Sequence, residues 1–346
     1  MPDNDGSPGW EAIDEALSRL YPGVEPLHYG TMVSWRLGGR DPLDGISVYR
    51  RDDHWHYVTY GMSELYEKES DLAEQSGWGF EFTFRLALQP EDGGDQPPMW
   101  ALSLLQNLAR YVYTSGNPFA AGHHLDLNGP IALDRPETAI RAAAFAVDPE
   151  LGEIDTPNGT VRFLQLVGLT LDEYNAVQLW NTERLLTALE PKLPLLVTNL
   201  SRASLTEDPE VAAAIAEGIR RDGSSTGSLY VQDARWRTDD GATVVTVGAT
   251  AAKRIAQVLP GRLPHGRGLA LDASEGGVLF RPGDELAVTE GDGGYLEITL
   301  PEEAGAQLAA TLQPVAGMYP VTDALTVEVV VSTIRDQDGN VVEQIG

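Results

Sequence analysis

The sequence predicts an α+β protein of two domains, each a mixed or antiparallel sheet flanked by helices. Its 346 residues exceed the roughly 250 to 300 at which single hydrophobic cores stop growing. Along the chain, apolar residues repeat every second position in some segments and every three to four in others, the marks of strands and helices respectively. A small-residue run, Gly223-Ser224-Ser225-Thr226-Gly227-Ser228, reads as a flexible linker with only Trp236 of the seven tryptophans beyond it, so the domains are expected at 1–222 and 223–346.

A first helix is predicted from Trp10, Ile13, Leu17 and Leu20, ended by Tyr21-Pro22-Gly23. Strands follow at Met32 to Leu37, Ile46 to Arg50 and His54 to Tyr60, the last with even-numbered residues on one face and Trp55, Tyr57 and Thr59 on the other. From Gly77 to Leu88, Phe80, Phe82, Phe84, Leu86 and Leu88 share one face and Glu81, Thr83 and Arg85 the other, which predicts a strand with a single buried side. Trp100, Leu104, Leu105, Leu108, Tyr111 and Val112 form a helical stripe after Pro97-Pro98. Thr156-Pro157-Asn158-Gly159 is a turn leading into a strand at Val161 to Val167. Thr170 and Glu173 then make a capping box for a helix reaching Trp180. A strand is expected at Pro194 to Leu200, and Asp208, Pro209 and Gly223 bracket an alanine-rich helix.

The second half reads as strands at Leu229 to Arg237, Thr243 to Val247, Gly268 to Leu271, Val278 to Phe280, Leu286 to Val288, Tyr295 to Leu300 and Leu325 to Ile334. Helices are expected at Ala251 to Val258 and Glu302 to Leu312. Internal repeats and low-complexity tracts are absent from the sequence.

Composition removes several kinds of chemistry. Zero cysteines exclude disulfides, thiolate metal sites and cysteine nucleophiles, and fit a reducing compartment. No apolar run approaches the roughly 20 residues of a membrane helix, and MPDNDGSPGW lacks a signal-peptide core, so a cytoplasmic protein is expected. A net charge of −28 repels nucleic acid and anionic lipid and favours a basic partner. No G-x-S-x-G elbow, P-loop or G-x-G-x-x-G after a strand occurs, and no cofactor is implied. His54 and His56 share a strand face and are the best metal candidates, which would make the chain a metal-dependent hydrolase if a third ligand came from His123, His124 or a carboxylate. An aromatic-rich strand more often buries such histidines against local partners, and no metal site is assigned. Asp336-Gln337-Asp338-Gly339-Asn340 opens like a calcium loop but has no Glu at the twelfth position, so it reads as a hairpin turn.

Several segments, in order, resemble the Suppressor of fused family. These are Leu37-Gly-Gly-Arg-Asp-Pro-Leu-Asp44 with Ser47-Val-Tyr-Arg50, and His54-Trp-His-Tyr-Val-Thr-Tyr-Gly-Met-Ser-Glu-Leu-Tyr66. Gly77-Trp-Gly-Phe-Glu-Phe-Thr-Phe-Arg-Leu86, Leu108-Ala-Arg-Tyr-Val-Tyr113 and Thr156-Pro-Asn-Gly-Thr-Val-Arg-Phe-Leu-Gln-Leu-Val-Gly168 follow. Gly261-Arg-Leu-Pro-His-Gly-Arg267 and Tyr295-Leu-Glu-Ile-Thr-Leu-Pro-Glu-Glu303 carry a sparser likeness in the second half. The resemblance implies a non-catalytic protein that clasps an extended peptide between its two domains by adding it to sheet edges. It places the first edge at Ala121-Gly122-His123-His124-Leu125-Asp126, with Tyr111 beneath. The second edge is placed near Gly268 to Leu271, at Leu269 and Leu271, after His265-Gly266-Arg267, with Arg262 and the neighbouring His265 and Arg267 also suited to packing between domains. Animal members hold Gli-type transcription factors this way and carry Asp where this chain has His123, which argues against Gli recognition. The chain also lacks their long charged insertion before the Gly-Arg-Leu motif and so resembles bacterial members, some of which are read as immunity proteins against secreted toxins. The expected partner is a protein or peptide, a basic toxin suiting the charge, with sequestration of a transcription regulator as the alternative.

Overall fold

A computed structural model describes residues 6–33, 35–89, 95–239, 241–274, 276–335 and 340–346. The chain divides into two compact units, one of residues 1–175 with 182–212, the other of 176–181 with 213–346.

The first unit is built on one eight-stranded mixed sheet. In chain order it contains α1 (Pro8–Leu20), β1 (Leu27–Gly30), β2 (Gly45–Arg50), β3 (His54–Tyr60), β4 (Gln75–Ala87), α2 (Met99–Ser115), β5 (His124–Asp126), β6 (Ile140–Val147), β7 (Glu153–Thr156) and β8 (Gly159–Thr170). Then come α3 (Leu171–Leu179), α4 (Thr182–Leu189) and α5 (Pro209–Asp222), of which α3 and α5 run on into residues of the other unit. The sheet order is β1-β2-β3-β4-β8-β6-β5, with β7 pairing β8 through the Thr156–Gly159 turn. The β4–β8 pair is parallel and the other pairs antiparallel, so the sheet is mixed as the sequence suggests.

Alternation decides the packing. Phe80, Phe82, Phe84 and Leu86 of β4 join Trp55 and Tyr57 of β3 and Leu105, Leu108 and Val112 of α2 in one core. The opposite face carries a second core, in which Ile13 and Leu17 of α1 meet Tyr49, Val58, Tyr60 and Phe163. Glu81, Thr83 and Arg85 are therefore buried, and the expectation of a single buried side for β4 is corrected. Burial of such groups demands partners: Glu81 accepts from Thr59, Gly61 and Ser63, while Thr83 and Arg85 donate to Asp148.

Other local differences have identifiable causes. Met32–Leu37 is not a strand: β1 occupies the place beside β2, and Trp35–Leu37 forms a single 3-10 turn. Pro194–Leu200 is irregular, with Leu195 and Leu196 at φ 55° and 53° and a lone bridge from Thr198 to Leu86. There the Gln165 amide donates to the carbonyls of Leu195 and Leu196 at 2.9 and 3.1 Å, taking acceptors a ladder would use. The capping box at α3 forms as read, Thr170 N donating to Glu173 Oε2 at 2.9 Å, and Asp208 caps α5 by accepting from Glu210 N.

The second unit contains β9 (Ser228–Tyr230), β10 (Ala234–Asp239), β11 (Ala242–Gly248), α6 (Ala249–Val258), β12 (Leu269–Ala273), β13 (Gly276–Pro282), β14 (Ala287–Glu290) and β15 (Tyr295–Leu300). α7 (Glu302–Thr311), β16 (Gly317–Thr322), β17 (Leu325–Val330), β18 (Ser332–Arg335) and β19 (Val341–Ile345) complete it. A four-stranded sheet β10-β11-β17-β16 and a five-stranded sheet β14-β15-β13-β12-β9 share one core with α6 and α7, and β18 pairs β19. The strand expected over Leu325 to Ile334 breaks at Val331, because Ser332 turns in to accept from Thr250 N in the first turn of α6 at 3.2 Å. The hairpin turn expected at Asp336–Asn340 lies outside the described residues apart from Asn340.

The run from Gly223 is hydrogen-bonded at Ser224, Ser225 and Thr226. Ser224 is fully buried, with its N–H on Gly261 O at 2.7 Å and its hydroxyl on Gln178 O at 2.5 Å. Ser225 N donates to Trp180 O at 2.6 Å. Small side chains here permit close backbone approach rather than free rotation, since a Cβ on Gly223 would lie 2.3 Å from Gly261 O.

Candidate functional site

Helix α2 ends at Gly116, whose left-handed φ of 74° stops the helix and sends the chain back across its own C-terminal end. Phe119 then stacks on Phe145 of β6 at 4.4 Å and lies 5.3 Å from Tyr111, fixing the approach to β5. Gly122, at φ 88°, turns the chain into β5. Strand β5 is the outermost strand of its sheet and pairs only with β6 among the described residues. Ladder bonds Phe145 N to His123 O and Leu127 N to Arg141 O turn the odd residues toward β6. By the alternation of an antiparallel pair, the main-chain groups of Asp126 point the other way.

Between α2 and β5 runs an apolar groove of about 660 Å³, walled by Leu104, Leu108, Tyr111, Phe119, His123 and Leu125. The structure thus brings Tyr111, His123, His124 and Leu125 together around one groove, with Asp126 next to it in the strand. Tyr111, read as part of the helical apolar stripe, is 47% exposed and forms a wall. His123 is exposed and its Nδ1 accepts the Ala120 N–H at 3.2 Å. His124 is anchored from the other side, Nδ1 lying 3.2 Å from Thr182 Oγ1 and its ring edge-on to Tyr174 at 5.5 Å. Asp126 Oδ1 accepts from Asn128 N and shapes the exit turn. Phe119 carries no signal from helical or strand spacing, although an aromatic residue three positions before the Gly-His-His stretch is a usable one.

The second expected edge is not an edge. β12 pairs with β13 on one side and, in parallel, with β9 on the other, so Leu269 and Leu271 are fully buried core residues. Arg262 donates to Gly268 O at 2.9 Å and to Ser224 O at 2.9 Å, and Arg267 donates to Ser224 O at 3.2 Å. His265 packs against Gly223. These three residues fasten segments of their own unit.

His54 and His56 do share a face, but it is a buried polar layer. His56 Nδ1 lies 2.6 Å from Tyr21 Oη and Nε2 lies 3.4 Å from Asp148 Oδ2. Arg85, fully buried, donates to both oxygens of Asp148 at 2.5 and 3.0 Å, to Glu150 at 2.9 Å and to Gln165. Thr83 donates to Asp148 as well. Burial pushes His56 down to about 4, so the ring is neutral, while His56 and Arg85 hold the Asp148 carboxyl well below the usual carboxylate range against the effect of burial. His54 Nδ1 donates to Asp53 Oδ1 at 2.6 Å, and its pKa is likewise lowered by burial. No cluster of three or more potential metal ligands occurs among the described residues.

Edge, groove and buried layer define the first unit as a mixed-sheet α+β domain whose last strand stands open beside an apolar groove. Residues 39–203 match the family model described as Suppressor of fused protein (SUFU). The chain is 37% identical over 241 residues to the Suppressor of fused homologs of Homo sapiens and of Mus musculus, covering 64% of this chain and 49% of each relative. It therefore spans about half the length of those relatives. Drosophila Suppressor of Fused shares the fold, with a TM-score of 0.76 at 23% identity over 94% of this chain and 97% of that one. A chain of the Sufu-Fu complex crystal structure matches at 32% identity and TM-score 0.55, over 61% of this chain and 98% of its own. Residues 39–203 thus carry a Suppressor of fused domain, and the fold of the chain is that of Drosophila Suppressor of Fused.

Proposed function

We propose that this protein is a non-catalytic binding protein that takes an extended segment of a protein partner as an added strand on β5. A side chain of that segment occupies the groove between α2 and β5. The observation that carries the reading is the coincidence of an outermost strand with an apolar groove directly beside it. Main-chain bonds on a sheet edge supply affinity without sequence demands, and a neighbouring pocket supplies selectivity. The complex seen for a relative in the Sufu-Fu structure supports a protein as the ligand class. A net charge of −28 favours a basic partner, because opposite charge raises association rates by roughly 10 to 1000-fold. A secreted toxin, neutralised by this chain as its immunity protein, has that character.

The partner recovered by co-purification from the native host would be titrated against wild type, Tyr111→Ala and Tyr230→Ala, the last an exposed tyrosine of the second unit. Tyr111→Ala should weaken binding about tenfold or more and Tyr230→Ala should not, with β5 amides gaining exchange protection in the complex. Binding indifferent to Tyr111→Ala, with β5 left unprotected, would refute the edge reading.

A further inference from the structure

A second cavity of the first unit, of about 400 Å³, is walled by Trp35, Tyr66, Trp78 and Tyr113. It lies on the segment Gly61-Met62-Ser63-Glu64-Leu65-Tyr66, which the partner-binding edge does not use. We propose that this cavity binds an alkylated ammonium cation, a trimethylammonium group being the type ligand.

Three of the four rings meet at one corner of the cavity, and Tyr66 joins them in its lining. Tyr113 stands edge-to-face with Trp35 at 5.6 Å and 64°, and with Trp78 at 5.7 Å and 65°, so the two indoles meet the phenol at steep angles instead of stacking flat. Aromatic faces carry negative potential, and a cation within about 6 Å of a ring centre is attracted to it. Asp44, Glu64 and Glu69 add negative charge to the lining, and among the described lining residues there is no lysine, arginine or histidine. Phosphate or carboxylate ligands are thereby repelled.

The choice among cations follows from Glu64. Its Oε1 accepts from the N–H groups of Glu69 at 2.8 Å and Ser70 at 2.5 Å, and its Oε2 lies 3.0 Å from Lys68 Nζ. A primary ammonium, which is strongly hydrated, or a guanidinium, whose N–H groups seek paired carboxylate oxygens, would need that carboxylate as a direct partner. An alkylated ammonium has few or no N–H groups to satisfy and exchanges a weak hydration shell for π faces.

The cage is also held in place before any ligand arrives. Tyr113 Oη donates to Gly61 O at 2.6 Å, and Trp78 N donates to Met62 O at 2.9 Å. The buried Glu81 carboxylate accepts from the N–H groups of Gly61 and Ser63, both at 2.9 Å, and from the Ser63 hydroxyl. Gly77 turns the backbone at φ 55° where a Cβ would lie 2.7 Å from Met62 O. Such preorganisation removes the ordering cost that a floppy aromatic pocket would impose.

The experiment titrates 15N-labelled full-length protein with choline chloride, tetramethylammonium chloride and 3,3-dimethylbutan-1-ol, the neutral isostere of choline, and follows the indole N–H signals by NMR. Trp35→Phe and Trp78→Phe assign the two cage indoles. Saturable shifts at those two signals with both cations are expected, with the alcohol about tenfold weaker than choline. Trp35→Ala or Tyr66→Ala, both at accessible positions, should weaken choline about tenfold at unchanged far-UV circular dichroism. Equal binding of choline and its isostere, or no movement of the cage indoles up to about 50 mM choline, would overturn the assignment. Neither result bears on the β5 edge, which is tested separately.

Discussion

Stability of the first unit should fall as the medium is acidified through a window set by His56. The ring is fully buried between Tyr21 and Asp148, and its proton affinity drops from an ordinary 6.5 to about 4. Between those values the unfolded chain binds a proton that the folded chain refuses, so stability present above pH 6.5 is lost progressively as pH falls toward 4. A drop of this size corresponds to about 3 kcal/mol. His54, lowered in the same direction, adds to the loss. The depressed Asp148 carboxyl contributes stability that is lost only below the ordinary carboxylate range, roughly pH 4, whereas burial raises the Glu81 carboxyl and so opposes the loss on acidification; the share of His56 is therefore read as the difference between wild type and His56→Gln from about pH 7.5 to 4.5. The assay is amide exchange of β3 and β4 in graded urea at both ends of that interval, since these strands report the first unit alone. His56→Gln should lose about 2.5 kcal/mol less than wild type across it. A variant that keeps the full slope of wild type would show that His56 is not held neutral by its burial.

Arg85→Met leaves Asp148 buried without its bidentate partner and should cost about 3 to 5 kcal/mol, while the double change Arg85→Met with Asp148→Leu should cost less than the sum of the two, read by denaturant unfolding. Glu173→Ala removes the acceptor of Thr170 N and Leu205 N and the two-pronged partner of Arg202, and a loss of about 2 to 4 kcal/mol is expected from calorimetry with β8–α3 amides reporting locally. Gly218→Ala places a Cβ 2.2 Å from the Trp180 ring, and a cost of about 1 to 3 kcal/mol should appear as a lowered melting temperature and altered indole fluorescence.

Much of the fold was legible because alternation and capping are local. His54–Tyr60 and Tyr295–Leu300 have the bounds read from their side-chain pattern, and the Thr170–Glu173 box begins a helix where it was expected. What was not legible depends on which elements become neighbours. Glu81, Thr83 and Arg85 look solvent-facing until Asp148 and the Ser63 loop arrive to satisfy them. Gly268–Leu271 reads as an exposed edge until the three residues of β9 pair beside it. The groove is half visible: the family resemblance places Tyr111 and His123 to Asp126 there, but Phe119, which joins them, and the Trp35–Trp78–Tyr113 corner need the fold to bring distant rings together.

The fastening of Ser224, Ser225 and Thr226 onto Gln178 and Trp180 bears on how the chain can be cut. A glycine–serine stretch invites truncation or nicking at that point. Here a fragment starting at Gly223 would discard the carbonyls that hold its first residues, along with the Trp180 ring against Gly218 and its N–H bond to Asp222. The second unit leaves the chain and returns to it, so it is not a cassette that one breakpoint can excise or a single recombination event can transplant.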